Sequence, residues 1–197
     1  MAKVVWDVTM SIDGFIADPR DNPGVIFDWY FKGDTLSAFS TETLKFKLSR
    51  EDAEYFDEAA RTLGAMVAGR RTYDVSQGWQ GSFFLPVPFF VLTHRPQITV
   101  PKGVTKFTFV TDGIESAIEQ AKVAAGGKTV GLMGANIAKQ CIEAGLLDEL
   151  NVHISPFLLG DGVRLYYHEG ANIVEFKTTK IIESSSGVTH IRYRVVK

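Results

Sequence analysis

The chain has 197 residues, enough for one domain with a sizeable core. Its net charge of −2 excludes the broad basic surface that holds nucleic acid or an anionic membrane, so any anion site must be local. One cysteine, Cys141, excludes an internal disulfide, and we expect a cytoplasmic protein with no signal peptide. Apolar runs stay shorter than the roughly 18–20 residues of a membrane span.

Predicted strands and helices alternate along the chain. A β-branched run predicts a strand at residues 3–10, and a long aromatic loop follows it. Ser49 begins a capping box that predicts a helix to Leu63, with Gly64 ending it. Asp112 is expected to cap a helix over residues 113–125. Further strands are predicted at 65–69, 88–94, 106–112, 128–133 and 149–156, with helices from 70 and over 134–145, and a hairpin over 175–197.

This alternation predicts an α/β fold of three layers, with helices on both faces of a mostly parallel sheet and an antiparallel hairpin at one edge. Ligands of such sheets bind at the carboxyl ends of the strands. Asp13, Gly69, Thr93 and Gly134 each follow a predicted strand. We therefore expect one domain in which four loops converge on a single cleft.

A Gly-Arg-Arg-Thr segment, residues 69–72, stands between a predicted strand and a predicted helix. The N–H groups of a helix N-terminus, the Thr72 hydroxyl and the guanidinium groups of Arg70 and Arg71 all suit a phosphate. A capped helix with two solvated arginines explains the same residues equally well. The motif alone leaves both interpretations open.

Two other loops carry weaker signals of the same kind. Residues 93–96 (Thr-His-Arg-Pro) could add a second anion contact, although a polar turn closed by proline is favoured for this segment alone. Residues 134–137 begin a helix with a glycine that allows close backbone approach, but they lack the dinucleotide fingerprint. A strand-to-helix turn that needs small residues is the alternative there.

Three aspartates are candidates to bind or protonate a nitrogen heterocycle: Asp13 in a turn, Asp28 in the aromatic loop beside Trp29, and Asp52 at a helix start. Each has a simpler structural explanation, as a turn, surface or helix-start residue respectively. The aromatic loop is expected to form a wall of the substrate site.

Metal and nucleophile motifs are missing from the sequence. The four histidines, His94, His153, His168 and His190, show no ligand spacing, so no metal site is expected. Signatures of zinc deaminases, serine hydrolases and P-loop proteins are also missing. A satisfied sheet position is favoured for His153, and a core position for Cys141.

Five segments together resemble the dihydrofolate reductase-like superfamily, and most closely the C-terminal reductase domain of the riboflavin-biosynthesis deaminase-reductase and its stand-alone relatives. They are, in order, TMSIDGFIA (9–17), GRRTY (69–73), VLT (91–93), MGANIA (133–138) and GLLDELNVHISPFLLGDGVRLY (145–166). Each motif is weak alone, whereas the ordered set over most of the chain is fairly specific.

The resemblance implies an NADPH-dependent reductase of a small, heterocyclic substrate, similar to 5-amino-6-(5-phosphoribosylamino)uracil reductase. By resemblance, Thr9, Ile16 and Ala17 match positions that line the nicotinamide. The matching phosphate-side positions are Gly69, Arg70, Arg71 and Thr72 at the phosphates, Thr93, His94 and Arg95 at the adenosine 2′-phosphate, and Gly134, Ala135 and Asn136 at the pyrophosphate.

The chain departs from the family patterns at several positions. Many members have Gly-Gly where this chain has Met133-Gly134. Asp52 falls near the helix-borne acid of true dihydrofolate reductases, but Val152 stands where that acid's threonine partner belongs. Folate reduction is therefore disfavoured, and without a deaminase segment the bifunctional enzyme is not expected.

The sequence thus predicts an NADPH-dependent oxidoreductase with Asp13 and Asp52 as candidate catalytic groups, and Asp28 and Trp29 as candidate substrate contacts. Dihydrofolate reductase proper, a non-catalytic nucleotide-binding domain and an interaction module are the alternatives. The apolar stretch 156–160 and the edge strands could support a homodimer.

Overall fold

A computed structural model describes residues 2–95, 99–167, 170 and 173–197 of the chain. Eight strands form one mixed sheet in the order β11-β12-β9-β1-β8-β5-β6-β7, and the β5–β8, β1–β8, β5–β6 and β6–β7 pairs are parallel. These strands are β1 (Val4–Ser11), β5 (Leu63–Gly69), β6 (Phe89–Leu92), β7 (Phe107–Val110), β8 (Thr129–Met133), β9 (Glu149–Ser155), β11 (Phe176–Glu183) and β12 (Thr189–Val195). The predicted α/β class, with its mostly parallel sheet and C-terminal hairpin, is confirmed.

Within the described part of the chain, four short strands and four α-helices complete the fold. The short strands are β2 (Phe15–Ala17), β3 (Thr35–Leu36), β4 (Lys47–Leu48) and β10 (Val163–Arg164). The helices are α1 (Arg50–Thr62), α2 (Arg70–Val75), α3 (Ile114–Ala125) and α4 (Ala135–Glu143), and 3₁₀ turns span Gly24–Tyr30 and Gln77–Gly81. No helix in the described part of the chain is both long enough and apolar enough to cross a membrane.

The chain divides into two compact units. The first comprises Met1–Trp6 with Thr62–Asp148, and the second comprises Asp7–Arg61 with Glu149–Lys197. Strand β1 contributes its first residues to one unit and its last residues to the other.

The first unit is built on parallel strands that are apolar along nearly their whole length. Val67, Phe89 and Val130 are fully buried, as expected for strands covered on both faces. Helix α3 packs against β5, β6 and β8. Because the strands are parallel, the loops that follow them leave from the same edge of the sheet.

The roles predicted for two residues at helix ends are wrong, although the predicted helix ends agree with the structure to within one residue. Gly64 does not end α1; it lies in β5, where an added Cβ would stand 2.6 Å from the Ala125 carbonyl oxygen. A close approach between strand and helix therefore explains this glycine. Asp112 does not cap α3, whose N-cap is Gly113; its carboxylate accepts a hydrogen bond from Ser116 Oγ at 2.8 Å instead.

The second unit combines antiparallel strands with α1 and an aromatic cluster. Ser49 Oγ accepts a hydrogen bond from the Asp52 backbone N–H at 3.1 Å, so the predicted start of α1 is confirmed. Phe46 and Phe56, with ring centroids 4.8 Å apart, form part of the core of this unit. Part of the predicted aromatic loop is the 3₁₀ turn Gly24–Tyr30, which buries Ile26 and Trp29.

Candidate functional site

The loops after β5 and β8 approach each other in the first unit. An added Cβ at Gly134 would stand 2.7 Å from Thr72 Oγ1, and Gly134 has a φ of +98°. A side chain at this position would therefore be both strained and crowded. Thr72 and Gly134 therefore lie close together, at the carboxyl ends of β5 and β8.

Arg70 connects the first of these loops to the loop after β6. Its Nε donates to both carboxylate oxygens of Asp74, at 2.8 and 2.9 Å, and its Nη1 donates to the Arg95 carbonyl oxygen at 3.2 Å. The side chain remains 34% exposed, so the guanidinium still presents donors to solvent. Arg71 is exposed, as is typical of a ligand-binding or a solvated arginine.

The loop after β6 is organised by Thr93, which is buried. Its hydroxyl donates to the Arg95 carbonyl oxygen at 3.0 Å and accepts from the Arg95 backbone N–H at 3.1 Å. His94 and Arg95 are exposed next to it. Pro96, the end of the predicted motif, lies outside the described residues.

Helix α4 begins directly after Gly134, and no side chain caps its first turn. The backbone N–H groups of Ala135 and Asn136 therefore have no partner within the helix. The Asn136 side chain accepts a hydrogen bond from Gln140 Nε2 at 2.6 Å. No cis peptide occurs among the described residues, so the Met133–Gly134 bond is trans.

These three loops provide guanidinium, hydroxyl and backbone N–H donors around a glycine that leaves no room for a side chain. Such donors bind phosphate oxygens well. The residues present therefore fit the phosphate groups of a dinucleotide.

The predicted nicotinamide-side residues all belong to the second unit. Thr9 and Ala17 are buried and Ile16 is half-buried. Trp29 Nε1 donates to Thr9 Oγ1 at 3.3 Å, and the Trp29 side chain is nearly enclosed. Trp29 thus orders the end of β1, whereas its neighbour Asp28 pairs with Lys32 at 2.5 Å near the surface.

Asp13 stabilises a turn. Its carboxylate accepts hydrogen bonds from Ser11 Oγ at 2.5 Å and from the backbone N–H groups of Leu159 and Gly160, at 3.1 and 2.7 Å. The Ser11 hydrogen bond, with those from the two backbone groups, lowers the pKa of Asp13 to about 2. Asp13 is therefore ionised at neutral pH.

Asp52 is fully enclosed and hydrogen-bonded to a histidine. Its Oδ1 lies 2.7 Å from His190 Nε2, and both side chains are 0% exposed. Burial acts to raise the pKa of Asp52, but the hydrogen bonds with His190 and with nearby serine hydroxyl groups together outweigh it, and the pKa is lowered. Asp13 and Asp52 thus have separate sets of hydrogen-bond partners.

The hydrogen bonds continue from His190 to Asp7, which was not among the residues predicted from the sequence. His190 Nδ1 lies 2.8 Å from His153 Nδ1, and His153 Nε2 lies 2.8 Å from Asp7 Oδ1. Asp7 Oδ2 also accepts from Tyr55 at 2.5 Å and from Asn151 at 3.0 Å. His153 is therefore hydrogen-bonded through both ring nitrogens, as predicted for a satisfied sheet residue.

Asp7 is the accessible end of this network, because its side chain is 35% exposed and that of His153 only 1%. Partial removal from water acts to raise the pKa of Asp7. The charge and hydrogen bond of His153, with the hydrogen bonds from Tyr55 and Asn151, nevertheless lower it to about 2. An aspartate or a histidine within each of the strands β1, β9 and β12 was the available sequence signal for this network.

No group of three or more histidine, cysteine or acidic side chains suited to a metal occurs in residues 2–95, 99–167, 170 and 173–197. Burial raises the pKa of the Cys141 thiol to about 12, which agrees with the predicted core position. His168 lies outside the described residues.

Comparison with solved structures places the fold among dihydrofolate reductase-like proteins, as predicted. A Shewanella sp. PV-4 protein assigned to riboflavin biosynthesis has a TM-score of 0.73 and 23% identity, with 100% of both chains covered. The diaminohydroxyphosphoribosylaminopyrimidine deaminase/5-amino-6-(5-phosphoribosylamino)uracil reductase of Thermotoga maritima has a TM-score of 0.65 and 14% identity, over 99% of this chain and 57% of that one. Dihydrofolate reductase of Enterococcus faecalis, complexed with NADP(H), has a TM-score of 0.59 and 13% identity, over 99% and 97%.

Sequence comparison identifies the family. No curated protein matches the chain. The profile of the RibD C-terminal domain matches residues 2–190, which is nearly the whole length and includes every segment on which the resemblance was based. The chain belongs to the RibD C-terminal domain family.

Proposed function

We propose that this protein is an NADPH-dependent reductase of a small heterocyclic substrate, in the class of 5-amino-6-(5-phosphoribosylamino)uracil reductase. Membership of the RibD C-terminal domain family supports the reaction class. The observation that carries the cofactor assignment is the meeting of the three phosphate-compatible loops in the first unit, through the Thr72–Gly134 approach and the Arg70–Arg95 hydrogen bond.

Different residues would contact the pyrophosphate, the adenosine 2′-phosphate and the nicotinamide of the cofactor. Arg70, Thr72 and the free N–H groups at the start of α4 would hold the pyrophosphate, because they offer charge and hydrogen-bond donors. Exposed His94 and Arg95 would contact the adenosine 2′-phosphate. Thr9, Ile16 and Ala17 would line the nicotinamide. NADPH, when bound, supplies the hydride.

Dihydrofolate reductase activity is disfavoured by the position of Asp52. An acid that anchors a pteridine must present a carboxylate oxygen to the ligand, whereas Asp52 is 0% exposed and its Oδ1 is bonded to His190. Dihydrofolate is therefore the expected non-substrate in an assay that follows loss of NADPH absorbance.

Replacing Arg70 with alanine is expected to weaken NADPH binding by about 10- to 100-fold, the usual cost of a lost charge-assisted hydrogen bond. Isothermal titration calorimetry of the wild type and R70A measures the change. Arg50→Ala is the matched control, because Arg50 is an exposed arginine at the start of α1, paired with Glu54. Unchanged affinity in R70A would contradict the phosphate assignment, and equal affinities of the wild type for NADH and NADPH would contradict the 2′-phosphate contacts.

A further inference from the structure

A continuous row of hydrogen bonds joins two aspartates through two histidines in the second unit. The separations are 2.7 Å from Asp52 Oδ1 to His190 Nε2, 2.8 Å between the two Nδ1 atoms, and 2.8 Å from His153 Nε2 to Asp7 Oδ1. His153 and His190 face each other directly in the antiparallel β9–β12 register. At these distances each gap must contain one hydrogen, because two lone pairs would repel each other.

The row holds one proton more than two ionised carboxylates and two neutral imidazoles would provide. Its three hydrogen bonds require three hydrogens. Two ionised carboxylates provide none, and two neutral imidazoles provide one each. The third hydrogen must be an additional proton, so the four groups together carry one net negative charge.

The extra proton belongs to the imidazole pair. Asp7 already accepts from Tyr55 and Asn151, and these donors make its carboxylate a weaker base. Burial lowers the pKa of His190, against the raising effect of its hydrogen bond with Asp52. Both Nε2 atoms therefore donate to their carboxylates, and the third hydrogen lies between the two Nδ1 atoms, so the imidazole pair carries the positive charge.

His153 and His190 are both buried, and aromatic rings pack against them. Tyr55 stacks on His190 at 4.8 Å, and the Trp29 ring lies 5.3 Å from His153 and 5.2 Å from His190. The guanidinium of Arg192 lies over the Tyr55 ring and pairs with Glu58 at 2.8 Å. Burial and the charges of Asp7 and Asp52 raise the pKa of the neighbouring Tyr30, which stays neutral.

We propose that the Asp52–His190–His153–Asp7 row stores one proton as a buried imidazolium and that Asp7 delivers it to the substrate. Asp7 is then the group that hands the proton to the substrate. The two histidines hold that proton, and Asp52 is a positioning residue. The delivery step depends on the proposed reductase function, but the stored proton does not.

The delivery step balances with the proposed reduction. A C=N bond of the substrate takes up two electrons with the hydride at its carbon, and its nitrogen then requires one proton. His153 passes the Nε2 proton to Asp7, and Asp7 passes a proton to the nitrogen. The row is left with two net negative charges, and a proton from water entering at the exposed Asp7 restores it.

Nitrogen-15 NMR of the histidine-labelled protein tests the stored proton without any cofactor. At about pH 8, well above the ordinary histidine pKa, we expect three of the four ring nitrogens of His153 and His190 to be protonated. Asp7→Asn should reduce this to two, because an amide at this position can donate to His153 Nε2. The nitrogen signals that differ between the wild type and D7N identify His153 and His190 among the four histidines. Two protonated nitrogens in the wild type would overturn the proposal.

Steady-state kinetics test the delivery step. D7N is expected to lower kcat by about 100-fold, as for loss of a general acid, and to leave the dissociation constant for NADPH unchanged. Glu54→Gln, an exposed change on α1, is the control and should retain wild-type kcat. Tyr55→Phe keeps the carboxylate and should keep three protonated nitrogens. If the wild type turns over substrate and D7N has the same kcat, delivery by Asp7 is overturned. If the wild type shows no turnover, the result counts against the reductase function instead.

Discussion

Replacing Asp52 with alanine is expected to lower the free energy of unfolding by about 3–5 kcal/mol, the usual cost of removing one partner of a buried ionic pair. The change leaves His190 Nε2 without its acceptor at a position that water does not reach. Asp52 is also in the first turn of α1, where a negative charge interacts favourably with the helix dipole and stabilises the helix. Urea denaturation of the wild type and D52A measures the difference.

Glu54→Ala provides the matched control on the same helix. The Glu54 side chain is 69% exposed and its pair with Arg50 lies on the surface, so its loss should change stability by no more than about 0.5 kcal/mol. A similar, small effect in D52A would contradict the buried Asp52–His190 pair.

Replacing Gly162 with alanine is expected to destabilise the protein by about 2–4 kcal/mol, through backbone strain and overpacking. Gly162 has a φ of +143°, and its added Cβ would lie 2.0 Å from the Ala17 carbonyl oxygen. The backbone must shift at the β10–β2 pair, in which Val163 is opposite Ala17. Because Ile16 and Ala17 are the proposed nicotinamide contacts, the KM for NADPH should rise as well.

Gly160→Ala separates crowding from backbone strain. Gly160 also has a positive φ, +76°, but nothing lies within 4 Å of its added Cβ. It should cost only the roughly 1–2 kcal/mol of a left-handed residue and leave the KM for NADPH unchanged. Thermal unfolding compares the stabilities of the two variants, and steady-state kinetics with varied NADPH compare their KM values. Equal losses of stability would contradict the proposed clash with Ala17.

The sequence predicted the regular elements well because their signals are local. Apolar runs and glycines marked β5, β8 and the hairpin of β11 and β12. The predictions failed where one residue type occurs in two different structural settings, as glycine does at helix ends and at close backbone contacts. Gly64 resembled a helix terminator, yet its purpose is a close approach to Ala125, a contact between residues far apart in the chain.

The phosphate-side loops could be anticipated because they follow parallel strands, whose carboxyl ends share one edge. The proton-storing row could not, since it depends on strand register. Asp7 and His153 lie 146 positions apart, and the facing of His153 and His190 is set by the β9–β12 pairing. Asp52 was selected from its place at a helix start, which gave no indication that its carboxylate is turned onto a histidine.

The reductase assignment is tested most directly by isotope transfer. The protein is incubated with 5-amino-6-(5-phosphoribosylamino)uracil and with NADPH deuterated at C4 of the nicotinamide, and the product is analysed by mass spectrometry and NMR. We predict a product reduced at the sugar carbon bonded to nitrogen, carrying one deuterium at that carbon. Recovery of unreduced substrate, or a reduced product without carbon-bound deuterium, would contradict hydride transfer from NADPH by this protein.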